Sequence, residues 1–106
     1  MAEAPQEHPL ALERVGAVAR LRLDRPALHN AFDAGLISAL TAALDRLAED
    51  PEVRVVVLEG SGASFSAGAD LNWMRGMAKA SEAENRDDAL ALARLMRTLD
   101  ELPKPT

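Results

Sequence analysis

An α/β fold is what this sequence predicts, and three observations predict it. Val55, Val56, Val57 and Leu58 follow one another without a polar break, the pattern of a strand covered on both faces, as in a parallel sheet. Leu36, Ile37, Leu40, Leu44 and Leu47 recur at helical spacing before it, and Leu92, Leu95, Met96, Leu99 and Leu102 do so after it. Upstream, Val18, Ala19, Arg20, Leu21, Arg22 and Leu23 alternate as a strand with one wet face. Strand and helix patterns interleave along the chain, which selects α/β.

Each element follows from local chemistry. Residues 1–9 are polar and proline-containing and read as disordered. Residues 10–14 and 18–23 form two short strands around Gly16, a hairpin. Asp24-Arg25-Pro26 stops the second, because proline lacks the N–H a ladder needs and biases the residue before it towards extended geometry. After a turn over residues 27–31, Asp33 caps a helix that runs to about residue 49, where Asp50-Pro51 ends it. Residues 53–59 make the buried strand, and the glycine-rich stretch 60–68 leaves its carboxyl end as a loop. A short helix begins near Asp70 and carries Leu71, Met74 and Met77. Ser81 with Glu84 three residues on is a capping box, opening a helix to about Leu102 that Pro103 and Pro105 end. The two helical stripes lack enough sheet to cover, so residues 1–106 are expected to be the N-terminal part of one larger domain.

Composition removes whole classes of function. The chain has 106 residues, 48% hydrophobic, with seventeen acids against twelve bases and a net charge of −5. Its basic residues are scattered, which argues against a nucleic-acid partner. There is no cysteine, so disulfides, thiolate metal sites and a cysteine nucleophile are excluded. Two histidines, His8 and His29, cannot alone build a metal site, and no metal is expected. No apolar run approaches the ~20 residues that cross a bilayer. The start resembles neither a secretory signal nor a transit peptide, so a cytoplasmic address is the default expectation.

The loop after the buried strand is the first candidate for chemistry, since ligands of open α/β sheets sit beyond the carboxyl ends of strands. Three motifs fail there. A dinucleotide fingerprint starting at Gly60 and Gly62 meets Phe65 where its third glycine belongs; no lysine follows for a phosphate loop; and Ser64 stands where a nucleophile elbow at Ser66 needs glycine. What remains is Ser66-Ala67-Gly68-Ala69-Asp70-Leu71, small residues leading into a helix. Backbone can approach a ligand closely there, and N–H groups at a helix start are free to meet an oxyanion. A tight loop with Asp70 as a helix cap accounts for the same residues.

Residues 53–71 carry an R-V-V-V-L-x-G strand followed by F-S-A-G-A-D-L. Leu23-Asp24-Arg25-Pro26 with His29-Asn30-Ala31 reads L-x-R-P-x-x-x-N-A, and Pro103-Lys104-Pro105 reads P-K-P. In this order the three segments resemble the enoyl-CoA hydratase/isomerase, or crotonase, family over essentially the whole chain. The resemblance implies a crotonase-like β-β-α spiral, represented by its N-terminal part, and a homotrimer or dimer of trimers when full length. It implies an acyl-CoA substrate whose enolate the protein stabilises, with no cofactor beyond the coenzyme A thioester itself. Carried onto this chain, the backbone N–H of Ala69 is one of two oxyanion donors. Backbone groups of Ala67, Gly68, Ala69, Asp70 and Leu71 contact coenzyme A, with Leu28, His29 and Ala31 on the other side. The P-K-P segment is expected to open the next strand.

In that family the second donor, a glycine, and two acid/base glutamates lie past the P-K-P segment, beyond Thr106. The chain by itself is therefore expected to be inactive. Glu82, Glu84, Asp87 and Asp88 read as a solvated helix start that complements its dipole. Residues 72–78 resemble the methylglutaconyl-CoA hydratase branch. Trp73, Met74 and Met77 are either pocket or core, and Arg75 and Lys79 either phosphate or carboxylate partners or surface charges. His29 is read as a packing or binding residue rather than a base. A non-catalytic CoA-binding or subunit-interaction fragment is the competing class, and isomerisation, thioester hydrolysis or dehalogenation the competing reactions.

Overall fold

Strand β1 (Leu10–Val15) turns at Gly16, whose φ of 59° lies in the left-handed region, into β2 (Val18–Leu23). The two pair antiparallel, with Leu12 opposite Leu21, and β3 (Val55–Gly60) adds in parallel on the other side of β2, with Leu21 beside Leu58. Helix α1 (Ala34–Glu49) makes the crossover between β2 and β3, and α2 (Leu71–Lys79) and α3 (Glu82–Asp100) follow. This computed structural model describes residues 9–106. The expected disorder of residues 1–9 falls outside that range except at Pro9, whose carbonyl accepts the Asp24 N–H at 2.8 Å and ties the chain start to the end of β2.

The sheet order β1-β2-β3 corrects one expectation. The centre is β2, with Ala19, Leu21 and Leu23 fully buried, whereas β3 is an edge strand on which only Val56 is fully buried. Val55 and Val57 are half-buried on the face opposite Val56, so the aliphatic run is not covered on both sides. The parallel pairing stands; the doubly covered strand does not.

A second correction concerns the helical stripes. Leu36, Ile37, Leu40, Leu44 and Leu47 are all 4% exposed or less, because α1 packs between the inner face of the sheet and α3. Burying each such side chain contributes about 1.5–3 kcal/mol, so α1 anchors the core without further sheet. On α3 the stripe is thinner: Leu95 is buried, Leu92, Leu99 and Leu102 are partly buried, and Met96 is 46% exposed. Ser81 and Glu84 form the expected capping box. Helix α3 stops at Asp100, two residues short of the expected end.

The last residues are used structurally. Lys104 Nζ donates to the carbonyls of Leu47 and Asp50, a second donor to each beside the N–H groups of Asp50 and Val53. The Pro105 carbonyl accepts the Val56 N–H at 3.0 Å, which sets residue 105 against the outer edge of β3. Residues 103–106 are not themselves in a strand.

Candidate functional site

The starts of α1 and α2 lie side by side because two short extended segments precede them in parallel. The Phe32 N–H donates to the Gly68 carbonyl at 2.6 Å and the Asp70 N–H to the Phe32 carbonyl at 2.7 Å, a one-residue bridge between Phe32 and Ala69. Each segment ends in a capping aspartate. Asp33 accepts the Leu36 N–H through Oδ1 at 2.9 Å, and Asp70 accepts the Trp73 N–H through Oδ1 at 3.0 Å. The Oδ2 atoms of both face one guanidinium nitrogen: Arg25 Nη2 stands 3.3 Å from Asp33 and 3.1 Å from Asp70, while Nη1 donates to the Ala31 carbonyl. The Trp73 N–H, then Arg25 and the Asn72 N–H, hold the Asp70 carboxyl below the ordinary carboxylate range against the opposing effect of burial.

The loop before this bridge hangs on Asn30, which is fully buried. Its amide donates to the carbonyls of Ser61 at 2.7 Å and Ser64 at 2.8 Å, and its oxygen accepts the Arg25 N–H at 2.8 Å. All three interactions replace hydrogen bonds to water that burial has removed. Ser66 continues the clamp, donating to the Asn30 carbonyl at 2.9 Å and accepting the Gly68 N–H at 3.2 Å. His29 and Asn30 both take left-handed backbone, φ 52° and 55°, conformations that side chains rarely adopt and that these contacts hold in place.

Within residues 67–71 the clamp consumes three of the five backbone donors. Ala67 N–H bonds to the His29 carbonyl, Gly68 N–H to Ser66 and Asp70 N–H to Phe32. Ala69 N–H and Leu71 N–H donate to no acceptor among the described residues, and both residues are exposed. Ala69 therefore presents a free N–H from between two fixed neighbours, one turn before the body of a capped helix. A cleft of ≈ 400 Å³ opens between the starts of α1 and α2, walled by Arg25, Leu28, Asp33, Asp70, Asn72 and Trp73.

The other expected site residues divide. Leu28 is 48% exposed and His29 is exposed. Ala31 is 7% exposed, its N–H is bonded to the Leu28 carbonyl and its own carbonyl accepts from Arg25. Leu71 and Met74 are 68% and 50% exposed, so the apolar side of α2 is not core; only Trp73 packs inward. Arg75 and Lys79 are exposed, and Arg75 bonds to Asn72 at 3.3 Å. Glu82, Glu84 and Asp87 are exposed and Asp88 half-buried at the start of α3. Among the described residues no group of three or more His, Cys, Asp or Glu could hold a metal ion, and no helix is long and apolar enough to cross a membrane. Arg25 and Asn30 were visible only as letters of a motif; their long-range contacts give them their roles.

A β-hairpin–helix–strand unit whose glycine-rich loop feeds a capped helix is the arrangement of this chain, and it is shared with solved crotonase-fold structures. Residues 13–106 match the family model described as enoyl-CoA hydratase/isomerase, and the chain belongs to that family. It superposes on a crystal structure of an enoyl-CoA hydratase from Shewanella pealeana with a TM-score of 0.90 at 45% identity, covering 93% of this chain and 37% of that one. An enoyl-CoA hydratase structure from Mycobacterium smegmatis gives a TM-score of 0.85 at 37% identity over 93% of this chain and 38% of that one. A 4-chlorobenzoyl coenzyme A dehalogenase of an Arthrobacter species is 39% identical over 102 residues, 94% of this chain and 37% of that protein. The chain thus spans little more than a third of the length of these relatives.

Proposed function

We propose that this chain supplies the thioester-polarising part of an enzyme acting on acyl-CoA substrates, with Ala69 N–H as an oxyanion donor. The observation that carries it is the unspent N–H of the exposed Ala69, fixed between the bonded Gly68 carbonyl and Asp70 N–H. A donor aimed at a thioester oxygen opposes the negative charge that develops there as the enolate forms, an effect worth about 3–4 kcal/mol per donor in comparable sites. Preorganisation matters because the neighbours are already bonded, so little reorganisation accompanies the reaction.

The reaction of the longer protein is read as hydration of a 2-enoyl-CoA, in fatty-acid or branched acyl-CoA breakdown, by a trimeric cytoplasmic enzyme. Leu28 and His29 are assigned to coenzyme A, together with Leu71 N–H and the free carbonyls of Ala67 and Ala69. Similarity to a coenzyme A dehalogenase at 39% identity keeps a second reading alive: another reaction that passes through a stabilised enolate. Both use the same donor and differ in the acids and nucleophiles around it.

Acetoacetyl-CoA tests the donor, because its enolate absorbs in the near ultraviolet and a site that binds the oxyanion raises that absorbance. Ala69→Pro removes the N–H, while Ala69→Ser keeps it and changes only a small side chain. The expected result is enolate absorbance with wild type and Ala69→Ser and none with Ala69→Pro, circular dichroism being unchanged throughout. Equal signals in all three remove Ala69 from the role.

A further inference from the structure

We infer that Arg25 is the positioning residue for the Ala69 N–H, acting through a fork that grips both sides of the Phe32–Ala69 bridge. The inference rests on the reading of Ala69 as an oxyanion donor and adds the device that aims it.

Aim is the difficulty. Gly68, directly before Ala69, has a φ of 91° and open space where a Cβ would stand, so no side chain at that position fixes the direction of the backbone that follows. The Ala67 N–H and the Ser66 hydroxyl tie the chain before Gly68 to residues 29 and 30, and beyond Gly68 a backbone bridge of two hydrogen bonds holds Ala69 beside Phe32. A useful donor must be held within a few tenths of an ångström and some 10–20°.

Arg25 supplies the missing constraint. Its guanidinium reaches Ala31 and Asp33, which flank Phe32 on one segment, and Asp70, which follows Ala69 on the other. Three acceptors around one rigid plane fix rotation as well as distance, which a single ammonium cannot do. The Arg25 side chain is 14% exposed and that of Asp70 8%, while that of Asp33, at 36%, is more open to solvent. Both carboxylates are already committed through Oδ1 to helix N–H groups, so the fork also fixes the two helix starts against each other. Without the guanidinium, two capping carboxylates would face each other across the bridge, and their repulsion acts to open it.

Arg25→Lys is the discriminating variant, since it keeps the positive charge and loses the fork. Amide hydrogen exchange of the 106-residue chain reads the geometry without any ligand. The bridge amides of Phe32 and Asp70 are expected to exchange about tenfold faster or more in Arg25→Lys, the loss of one to two charged hydrogen bonds, while core amides such as those of Leu21 and Leu44 keep their rates. Acetoacetyl-CoA supplies the second readout: enolate absorbance per bound ligand falls in Arg25→Lys even at saturating ligand, a change that loss of affinity alone would not produce. Unchanged bridge exchange overturns the inference. So does loss of protection throughout the core, which would make Arg25 a general stabiliser. If wild type itself fails to polarise acetoacetyl-CoA, the reading of Ala69 fails while local bridge opening in Arg25→Lys still establishes the positioning role.

Discussion

Gly60 and Asn30 touch so closely that a Cβ on Gly60 would stand 2.9 Å from Asn30 Nδ2, and 2.5 Å from the Phe65 carbonyl oxygen. The end of β3 and the buried amide that holds the following loop are thus one packed unit, and the glycine there is a matter of space. Gly60→Ala is expected to destabilise the chain by about 1–3 kcal/mol, since backbone on one side and a committed amide on the other cannot yield cheaply. Urea denaturation measures it. Gly68→Ala provides the contrast: open space surrounds it, so only its left-handed φ resists, at a cost of about 1–2 kcal/mol.

Asn30 itself distinguishes donor from acceptor. Asn30→Ala leaves the Ser61 and Ser64 carbonyls and the Arg25 N–H without partners, for an expected loss of about 2–3 kcal/mol. Asn30→Asp keeps the acceptor but turns a carboxylate towards two carbonyls, so at neutral pH it should cost more than alanine. Acidification should narrow the gap, because a protonated carboxyl can donate again. An aspartate variant as stable as wild type at pH 7 would mean that the loop does not depend on the amide donors.

Acid should weaken the fold through identifiable carboxylates. The Trp73 N–H and Arg25 depress Asp70, Arg22 and Arg20 depress Glu59, and the Ser81 N–H depresses Glu84. A folded pKa below the unfolded one means that the unfolded chain binds protons first, so the stabilisation is complete above the ordinary carboxylate pKa of about 4 and is lost as pH falls through the depressed values. Denaturation midpoints should therefore hold near neutrality and fall between about pH 5 and pH 2. Asp70→Asn, which retains a capping oxygen for Trp73, should flatten part of that slope; an unaltered slope would show that Asp70 carries none of it.

What the sequence disclosed was local. Asp33, Asp70 and the Ser81–Glu84 box were legible as caps because donor and acceptor lie within three residues, and the stripe of α1 because its period is intrinsic to a helix. The run Val55 to Leu58 misled about coverage, since four aliphatic residues in succession mark a strand without saying whether a neighbour lies on each side. Arg25 meets Asp70 across 45 positions and Asn30 meets Ser61 and Ser64 across 31 and 34, separations that no periodicity encodes. The burial of Ala31 is equally hidden from any period, since it follows the left-handed His29 and Asn30.

Catalysis by the 106-residue chain should fail at proton transfer rather than at binding. Hydration of a 2-enoyl-CoA needs one group to activate water and another to deliver the α-proton, and each contributes typically about 10²–10⁴ in rate. The carboxyls of Asp33 and Asp70, on either side of the Phe32–Ala69 bridge, are both engaged twice, by a helix N–H and by Arg25. Asp70 is moreover held below the ordinary carboxylate range, so near neutral pH it carries no proton to give. Of the acids at the start of α3, Glu82, Glu84 and Asp87 lie exposed, with Glu84 closing the capping box, and Asp88 is half-buried. Crotonyl-CoA should accordingly show no loss of enoyl absorbance with the pure chain, even where acetoacetyl-CoA reports polarisation by Ala69. Turnover that survives purification, and that Asp33→Asn or Asp70→Asn abolishes, would place an acid within this chain and contradict the assignment of both aspartates to the scaffold.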